Sequence, residues 1–252
     1  MKLGRLAEVE QYIVTNQTVS LDKLCEVFGI SKNTVRRDIG DLVKRGTVKK
    51  VYGGVTAVKN SLVPFEKRNI KSKSEKDAIA RAAAAYVQDG DIIYVDSGTT
   101  VPNMINYLKN KHITVLTESL NAALNALPYE NINVIMLGGN IIRNTNSLSL
   151  MNPSILKNYN INKAFMASTG ISIENGVTNS SPMEFEIKKE VAAKSGSVYL
   201  LVDYTKFGAA SLLTYCSLES VTGIVTDRTP PQPYLEFIRN HAIQLTVAEP
   251  VV

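Results

Sequence analysis

Two stretches of the chain carry residue types that act on bases and on anions. The first is Ser31-Lys32-Asn33-Thr34-Val35-Arg36-Arg37-Asp38. Arg makes paired hydrogen bonds to guanine O6 and N7, and Asn does the same to adenine, so this run suits readout of base edges in a major groove. Adjacent arginines cannot share one base. One of Arg36 and Arg37 reads a base, and the other clamps a phosphate or pairs with Asp38 or Asp41. The second stretch is Asp96-Ser97-Gly98-Thr99-Thr100. A glycine that lets backbone approach closely, hydroxyls around it and the free N–H groups of a following helix make a seat for an anion. Gly138-Gly139 offers further backbone donors, and Arg143 and Lys206 offer positive charge.

Other chemistry is thinly provided for. A proton-moving reaction needs a carboxylate or His base within reach of its substrate. Asp96, Glu118 and Asp203 are the carboxylates in suitable loops, whereas His112 and His241 fall outside them. No His/Cys/carboxylate cluster has metal-ligand spacing. Cys25 and Cys216 are far apart and form no disulfide framework. We therefore expect no catalytic residue, no metal and no cofactor.

The elements that position the first stretch are legible from periodicity. Leu3, Leu6, Val9, Ile13 and Val14 recur near helical spacing and predict a helix over Lys2–Thr15. Ser20 predicts the N-cap of a short second helix carrying Leu21, Leu24, Cys25 and Phe28, and Gly29 predicts its left-handed end. Ser31 caps a third helix that runs to about Arg45 and stops at Gly46. This is a helix-turn-helix. Val35, Ile39, Leu42 and Val43 form the buried stripe of its third helix, leaving Lys32, Asn33, Thr34, Arg36 and Arg37 on other faces. Two β-prone stretches then flank Gly53-Gly54 and predict a tight hairpin. Such a hairpin is the wing of a winged helix, with Lys49 and Lys50 beside the phosphate backbone and Tyr52 at the same face.

Lys59 to Lys73 is polar and broken by Pro64, so residues 59–74 read as a linker on which Phe65 docks against a neighbour. Ser74 predicts the cap of a helix ending at Asp89-Gly90. Strand-like runs follow at Ile92–Val95, Ile113–Thr117, Val134–Leu137, Lys163–Ala167, Val198–Val202 and Ile224–Thr226, alternating with helices. That alternation predicts an α/β domain, residues 75–252, with a mainly parallel sheet covered on both faces. Small and polar residues follow strand after strand, at the sheet edge where such folds bind ligands.

Bulk properties agree. The 252 residues are 44% hydrophobic, which excludes a wholly disordered chain. No apolar run approaches a membrane span and no signal-like h-region follows the start, so we expect a cytoplasmic protein with no membrane partner. The net charge of +5 is unevenly distributed. Residues 1–70 hold 13 Lys+Arg against 7 Asp+Glu, and residues 71–252 hold 15 against 16. The basic excess sits in the first quarter of the chain, as a nucleic-acid reader joined to a near-neutral domain would have it.

Thr34-Val35-Arg36-Arg37-Asp38-Ile39, with Gly46 and Tyr52-Gly53-Gly54-Val55, resembles the DeoR family of sugar-catabolism repressors. That family carries Ser-x-x-Thr-x-Arg-Arg-Asp-Leu in its recognition helix and His-Gly-Gly-Ala in its wing. Here Ile39, Tyr52 and Val55 are mild departures. The resemblance continues through Asp96–Thr100, Leu137-Gly138-Gly139, Gly176-Val177-Thr178 and Asp203–Gly208. It implies an N-terminal winged helix-turn-helix (residues 1–58) and a sensor domain related to the ribose-5-phosphate isomerase and glucosamine-6-phosphate deaminase folds. Implied DNA contacts fall on Ser31, Lys32, Asn33, Thr34, Arg36, Arg37, Lys49, Lys50 and Tyr52. Implied effector contacts fall on Asp96, Ser97, Gly98, Thr99, Thr100, Gly138, Gly139 and Lys206, with Glu118 and Ser119 beside them. Thr117-Glu118-Ser119 stands where the family has Thr-Asn-Ser, which places a carboxylate next to the anion seat and in reach of ligand hydroxyls.

The recognition and wing segments are most like the branch of the family that governs myo-inositol catabolism. The resemblance implies a homo-oligomer, dimer or tetramer, on double-stranded operator DNA, controlled by a phosphorylated sugar or keto-acid. Two other classes fit parts of the sequence: a phosphosugar isomerase with a DNA-binding appendage, and a nucleoid-type binder without small-molecule control.

Overall fold

The computed structural model describes residues 2–16, 18–44, 48–57, 65–150 and 152–248. Its chain divides into two compact units, residues 1–62 and 63–252.

In the first unit α1 (Lys2–Asn16) is followed by β1 (Thr18–Ser20), α2 (Leu21–Phe28), α3 (Lys32–Lys44), β2 (Val48–Val51) and β3 (Gly54–Ala57). Leu6, Val9 and Ile13 of α1 bury against Leu24 of α2, Val35, Ile39 and Leu42 of α3, and Val19, Val48 and Val55 of the strands. The expected caps are present. Ser20 Oγ accepts from Lys23 N, and Gly29 ends α2 at φ 60°. Gly46 lies outside the described residues. Val43 departs from the expected stripe and is exposed. Asp38 takes a buried place on that helix instead, and Arg5 of α1 binds both of its oxygens, Nε to Oδ2 at 2.9 Å and NH2 to Oδ1 at 3.1 Å.

The strands form one antiparallel sheet in the order β1-β3-β2. The turn consists of Tyr52 and Gly53, since Val51 pairs with Gly54. Gly54 therefore belongs to β3 rather than to the expected Gly-Gly turn. A Cβ there would sit 2.4 Å from Val19 O, so glycine is what lets β3 approach β1. The sequence reading missed β1, whose three residues are too few to show an alternation.

The second unit opens with α4 (Phe65–Ile70) and α5 (Lys73–Ala84). Helix α4 corrects the linker expected over 59–74: Phe65 is buried and its N–H bonds Asn144 O at 2.8 Å. Residues 58–64 lie outside the described residues. Ser72, not Ser74, precedes α5, in a left-handed conformation and without a side-chain cap. Ser74 is inside the helix and donates to Glu75 Oε2.

The rest alternates: β4 (Ile92–Val95), a 3₁₀ turn (Val101–Tyr107), β5 (Ile113–Thr117), α6 (Leu120–Ala126), β6 (Ile132–Met136), β7 (Gly139–Ile142), β8 (Ser147–Leu150), a 3₁₀ turn (Pro153–Asn158) and β9 (Lys163–Met166). Then come β10 (Gly170–Ser172), β11 (Gly176–Asn179), α7 (Pro182–Lys194), β12 (Ser197–Leu201), a 3₁₀ turn (Tyr204–Lys206), β13 (Leu213–Cys216), a 3₁₀ turn (Leu218–Ser220), β14 (Gly223–Thr226), α8 (Gln232–Asn240) and β15 (Gln244–Val247).

Seven strands make a parallel sheet in the order β15-β14-β12-β9-β4-β5-β6. Alternate residues feed two cores, as period-two side chains require. Ile93, Val95, Val115 and Leu201 bury with α5 and the Val101–Tyr107 turn. Tyr94, Leu116, Leu200 and Ile224 bury with α7 and α8 on the other face. The six expected strands are all present. The seventh, β15, was missed, as were the hairpin β7–β8 and the antiparallel sheet β10-β11-β13. Order along the sheet reverses between β4 and β9: the chain winds outward to β5 and β6 on one side and to β12, β14 and β15 on the other. Connections leave this point in opposite directions and open a crevice at the carboxyl edge.

Candidate functional site

On the first unit, burial of Val35, Ile39 and Leu42 turns the opposite side of α3 outward. Lys32, Asn33, Arg36 and Arg37 are exposed there, and Thr34 is half-buried. Arg36 and Lys32 line a groove of about 490 Å³ together with Lys50 and Gly53 of the wing and Leu21 and Asp22 of α2. Lys49 is exposed on the same strand as Lys50, and Tyr52 stands fully out at the wing tip. Three expected residues carry local duties as well. Ser31 caps α3: its Oγ accepts from Thr34 N at 3.3 Å and lies 3.0 Å from Thr34 Oγ1. Lys32 Nζ pairs with Asp22 at 2.6 Å, but both side chains are more than half exposed. Such a pair is worth at most about 1 kcal/mol and yields readily to a phosphate. Asp38 is held by Arg5, so it is not the partner that Arg36 or Arg37 was expected to find.

On the second unit, the crevice between β4 and β9 holds a buried charge cluster. Asp96 directly follows β4 and has no exposed surface. Its Oδ1 accepts from Ser97 N at 2.9 Å, and its Oδ2 accepts from Ala167 N at 2.7 Å and from Lys188 Nζ. Lys188 also donates to Ala167 O at 3.0 Å. Burial opposes the charge on Lys188, yet Asp96, Glu184 and Glu118 together raise its pKa. Gly98 lets the loop press on the neighbouring strand end, since a Cβ there would meet Ala167 Cβ at 2.5 Å. Ser97, Thr99 and Thr100 are buried in the same loop.

Glu118 directly follows β5 and is buried, and its Oε2 accepts from Tyr94 OH at 2.6 Å. Burial first, and the Asp96 charge second, raise its pKa to about 7. Ser119 caps α6 by accepting from Ala122 N at 3.2 Å. From the side of α7, Asn179 Nδ2 donates to Glu184 Oε2 at 3.0 Å, and Thr169 Oγ1 donates to Asn179 Oδ1 at 3.1 Å.

A second group of charges sits near Asp203, after β12. Lys206 Nζ is 3.5 Å from Asp203 Oδ2 and one-third exposed. Lys76 of α5 is buried and donates to Arg68 O. Burial, with the neighbouring cations Lys206, Arg68 and Lys71, lowers the Lys76 pKa to about 8 against the pull of Asp203. Arg68 is lowered too, by burial, with Glu184 and Asp96 pulling the other way. Lys206 is thus the cation paired with Asp203, and the charge of Lys76 is held down by burial beside other cations.

The structure thus brings Asp96, Ser97, Gly98, Thr99, Thr100 and Glu118 together, with Ser119 capping behind them. Gly138 and Gly139 are exposed at the start of the β7–β8 hairpin, directly after Leu137, whose N–H bonds Thr117 O at 2.8 Å. A Cβ on Gly139 would fall 1.5 Å from Ser149 O, so strand contact accounts for that glycine. Arg143 is exposed. His112 N bonds Asp89, and His241 stacks on Phe237. Lys188, Lys76, Arg68, Asn179 and Glu184 were missed. For Lys188 a signal existed: it lies between Ile187 and Val191 on the buried side of α7, a stripe position where a lysine has to find a counter-charge.

The raised pKa of Glu118 has a testable sign. Below about pH 4.5 both folded and unfolded chains are protonated there, so the group contributes nothing. As pH rises toward 7 the unfolded chain releases a proton that the folded chain keeps, and stability falls by at most about 3 kcal/mol. Glu118→Gln keeps an acceptor for Tyr94 and removes the titration. Denaturation midpoints at pH 5 and pH 8 should show the variant gaining on wild type at the higher pH. A stability difference that does not change with pH would contradict the burial of this carboxyl.

Comparison with known proteins gives each unit a family match. Residues 5–61 match the DeoR-like helix-turn-helix domain, and residues 71–228 match the DeoR C terminal sensor domain. Over 251 residues the chain is 45% identical to the HTH-type transcriptional regulator IolR of Bacillus subtilis (strain 168), covering 98% of this chain and all of that protein. It is 26% identical to the glycerol-3-phosphate regulon repressor of Escherichia coli (strain K12), covering 90% and 91% of the two chains. Among solved structures, ribose 5-phosphate isomerase a from Methanocaldococcus jannaschii aligns over 52% of this chain and 53% of that one, at 20% identity and a TM-score of 0.39.

Proposed function

The chain belongs to the DeoR family of helix-turn-helix transcriptional regulators, and on that premise we propose that it represses a sugar or polyol catabolic operon under control of a phosphorylated metabolite. The observation that carries the DNA half of this reading is the shared groove. Arg36 of the recognition helix and Lys50 of the wing face one channel, so a duplex engages both at once. The residues assigned to it are Asn33 and one of Arg36 and Arg37 for the bases, and the other arginine with Lys32, Lys49, Lys50 and Tyr52 for the backbone. The protein acts in the cytoplasm, where operator DNA is. Paired half-sites call for a homo-oligomer, a dimer or a tetramer.

The effector half rests on the switch-point crevice. Its phosphate sits against Ser97, Thr99 and Thr100 and the cations Lys76 and Lys206. Its hydroxyl or keto end meets Glu118 and the Asp96–Lys188 pair. A relative named for a glycerol-3-phosphate regulon supports a phosphorylated ligand. The 45% identity with IolR over nearly the whole chain supports the myo-inositol pathway and a phosphorylated keto-acid. We assign the protein no reaction. Both oxygens of Asp96 are committed to fixed donors, and the relatives named above are regulators. Steady turnover of pentose or amino-sugar phosphates by the pure protein would contradict that.

Thr99→Ala and Lys206→Ala separate the two halves. Each variant should bind operator like wild type while responding less to the effector. An effector moves operator affinity 5–150-fold for a coupling of about 1–3 kcal/mol. Gel-shift titrations with and without phosphorylated sugars and keto-acids measure the response. Undiminished response in both variants places the pocket elsewhere.

A further inference from the structure

Strand β6 ends one side of the parallel sheet and pairs with β5 alone. Its register leaves a definite set of main-chain groups unused. Ile113 N bonds Asn131 O at 3.3 Å, and Leu137 N bonds Thr117 O at 2.8 Å, so the odd-numbered residues from 131 to 137 turn toward β5. Val134 and Met136 turn their N–H and C=O groups away from it, and among the described residues no other strand takes them. Exposed strand edges are ordinarily blocked by a lysine, a proline or a bulge. Ile132-Asn133-Val134-Ile135-Met136 has none of these.

The surface at both ends of this edge is apolar. Helix α6 buries Ala122 and Ala126 on its inner side. Leu120, Leu124 and Leu127 fall on a second stripe at helical spacing, and Leu124 and Leu127 are 61% and 76% exposed. This helix runs out just before the start of β6. Beyond the finish of β6, Ile141 of the β7–β8 hairpin is 60% exposed. Charge is nearly absent here. Among residues 119–142 Glu130 alone is charged, where a chain that is 20% charged would place about five.

We propose that this face joins two copies of the chain, with β6 pairing antiparallel to β6 of the second copy about a two-fold axis at Ile135. In that register Val134 of each strand exchanges both hydrogen bonds with Met136 of the other, so every free group of the edge finds a partner. The same axis sets the start of one β6, with Leu124 and Leu127, alongside the finish of the other, with Ile141. An uncharged face offers nothing to an acidic or a basic partner, whereas a two-fold makes one patch its own complement. Neither the effector crevice nor the operator enters into this pairing, which gives the proposed homo-oligomer its surface.

Sedimentation of the full-length chain over a concentration series, without DNA or metabolite, tests the pairing. Wild type should sediment as a dimer or a larger even-numbered assembly. Leu124→Lys/Leu127→Lys should weaken association at least about tenfold, because it sets charge against apolar surface. Met136→Pro should do the same, since it removes an outward N–H and leaves the β5 ladder whole. The two leucines are exposed in the single chain, so their replacement leaves the fold intact even if proline at 136 does not. Leu212→Lys, at an exposed leucine just before β13, should match wild type. In a Cys25→Ser/Cys216→Ser background, Ile135→Cys should cross-link to itself under mild oxidation, because residues opposite at a non-hydrogen-bonded pair have Cα atoms about 4.5 Å apart. A wild type that stays monomeric throughout the series overturns the proposal and gives the face to another occupant. A dimer that both the leucine and the proline variants leave unchanged overturns it too. Loss of association in the leucine variant, with none in Met136→Pro and no Ile135→Cys cross-link, overturns the strand pairing.

Discussion

Lys188→Ala should cost about 3–5 kcal/mol of stability and lower the melting temperature on the order of 10 °C, because it leaves the Asp96 carboxylate buried without a counter-charge. Asp96 has no exposed surface, and its remaining donors are two backbone N–H groups, from Ser97 and Ala167. Those donors support the anion but do not neutralise it. The loss should be much smaller in the double variant Lys188→Met/Asp96→Asn, since removing both charges also removes the desolvation cost that the pair has to offset. A double-mutant cycle by denaturant unfolding measures the coupling. If Lys188→Ala costs under about 1 kcal/mol, the pair behaves as a surface ion pair and the cluster is not buried as described. Effector binding adds a second readout. The double variant should fold yet lose the metabolite response, because the polar end of the crevice has gone with the charges.

The second large effect concerns operator binding. Arg36→Ala and Arg37→Ala should each weaken it by about 1–3 kcal/mol, and the two should differ in kind. The arginine that reads a base should, when removed, relax specificity at one position. The one that clamps a phosphate should weaken all sequences alike and reduce the salt slope by about one. Arg36 lines the groove with Lys50, whereas Arg37 is exposed outside it. Neither is expected to destabilise the unit, because the buried ion pair of this helix is made by Asp38 with Arg5 of α1. If both variants bind operator like wild type, α3 is not the recognition helix.

The helix-turn-helix was legible because its punctuation is local. Ser20, Gly29 and Ser31 act within a few residues of themselves, and their caps form as read. The parallel strands were legible because each is a short apolar run ending in a polar loop. What escaped depends on partners distant in sequence. Three-residue β1 exists only because β3 pairs with it, and Gly54 serves that contact rather than the turn. Helix α4 lies in a polar stretch, and its anchor is Asn144, far along the chain. In the site, the Asp96 loop and Glu118 could be placed because they directly follow strands. Lys188 and Lys76 reach it from helices, so their relevance depends on which helix faces which strand. Lys206 stood out as the available cation, whereas the more deeply buried Lys76, whose pKa the Lys206 charge helps to lower, comes from a helix.

Direct measurement of sequence-specific, metabolite-dependent DNA binding tests the central claim. A duplex selected from a random pool by the full-length protein is titrated at fixed salt beside an unrelated duplex, with and without a panel of phosphorylated sugars and keto-acids. The expected result is selected-site affinity at least about 10³-fold tighter than the unrelated duplex, shifted about 5–150-fold by at least one metabolite. Equal affinity for the two duplexes, or affinity that no member of the panel alters, would contradict the account.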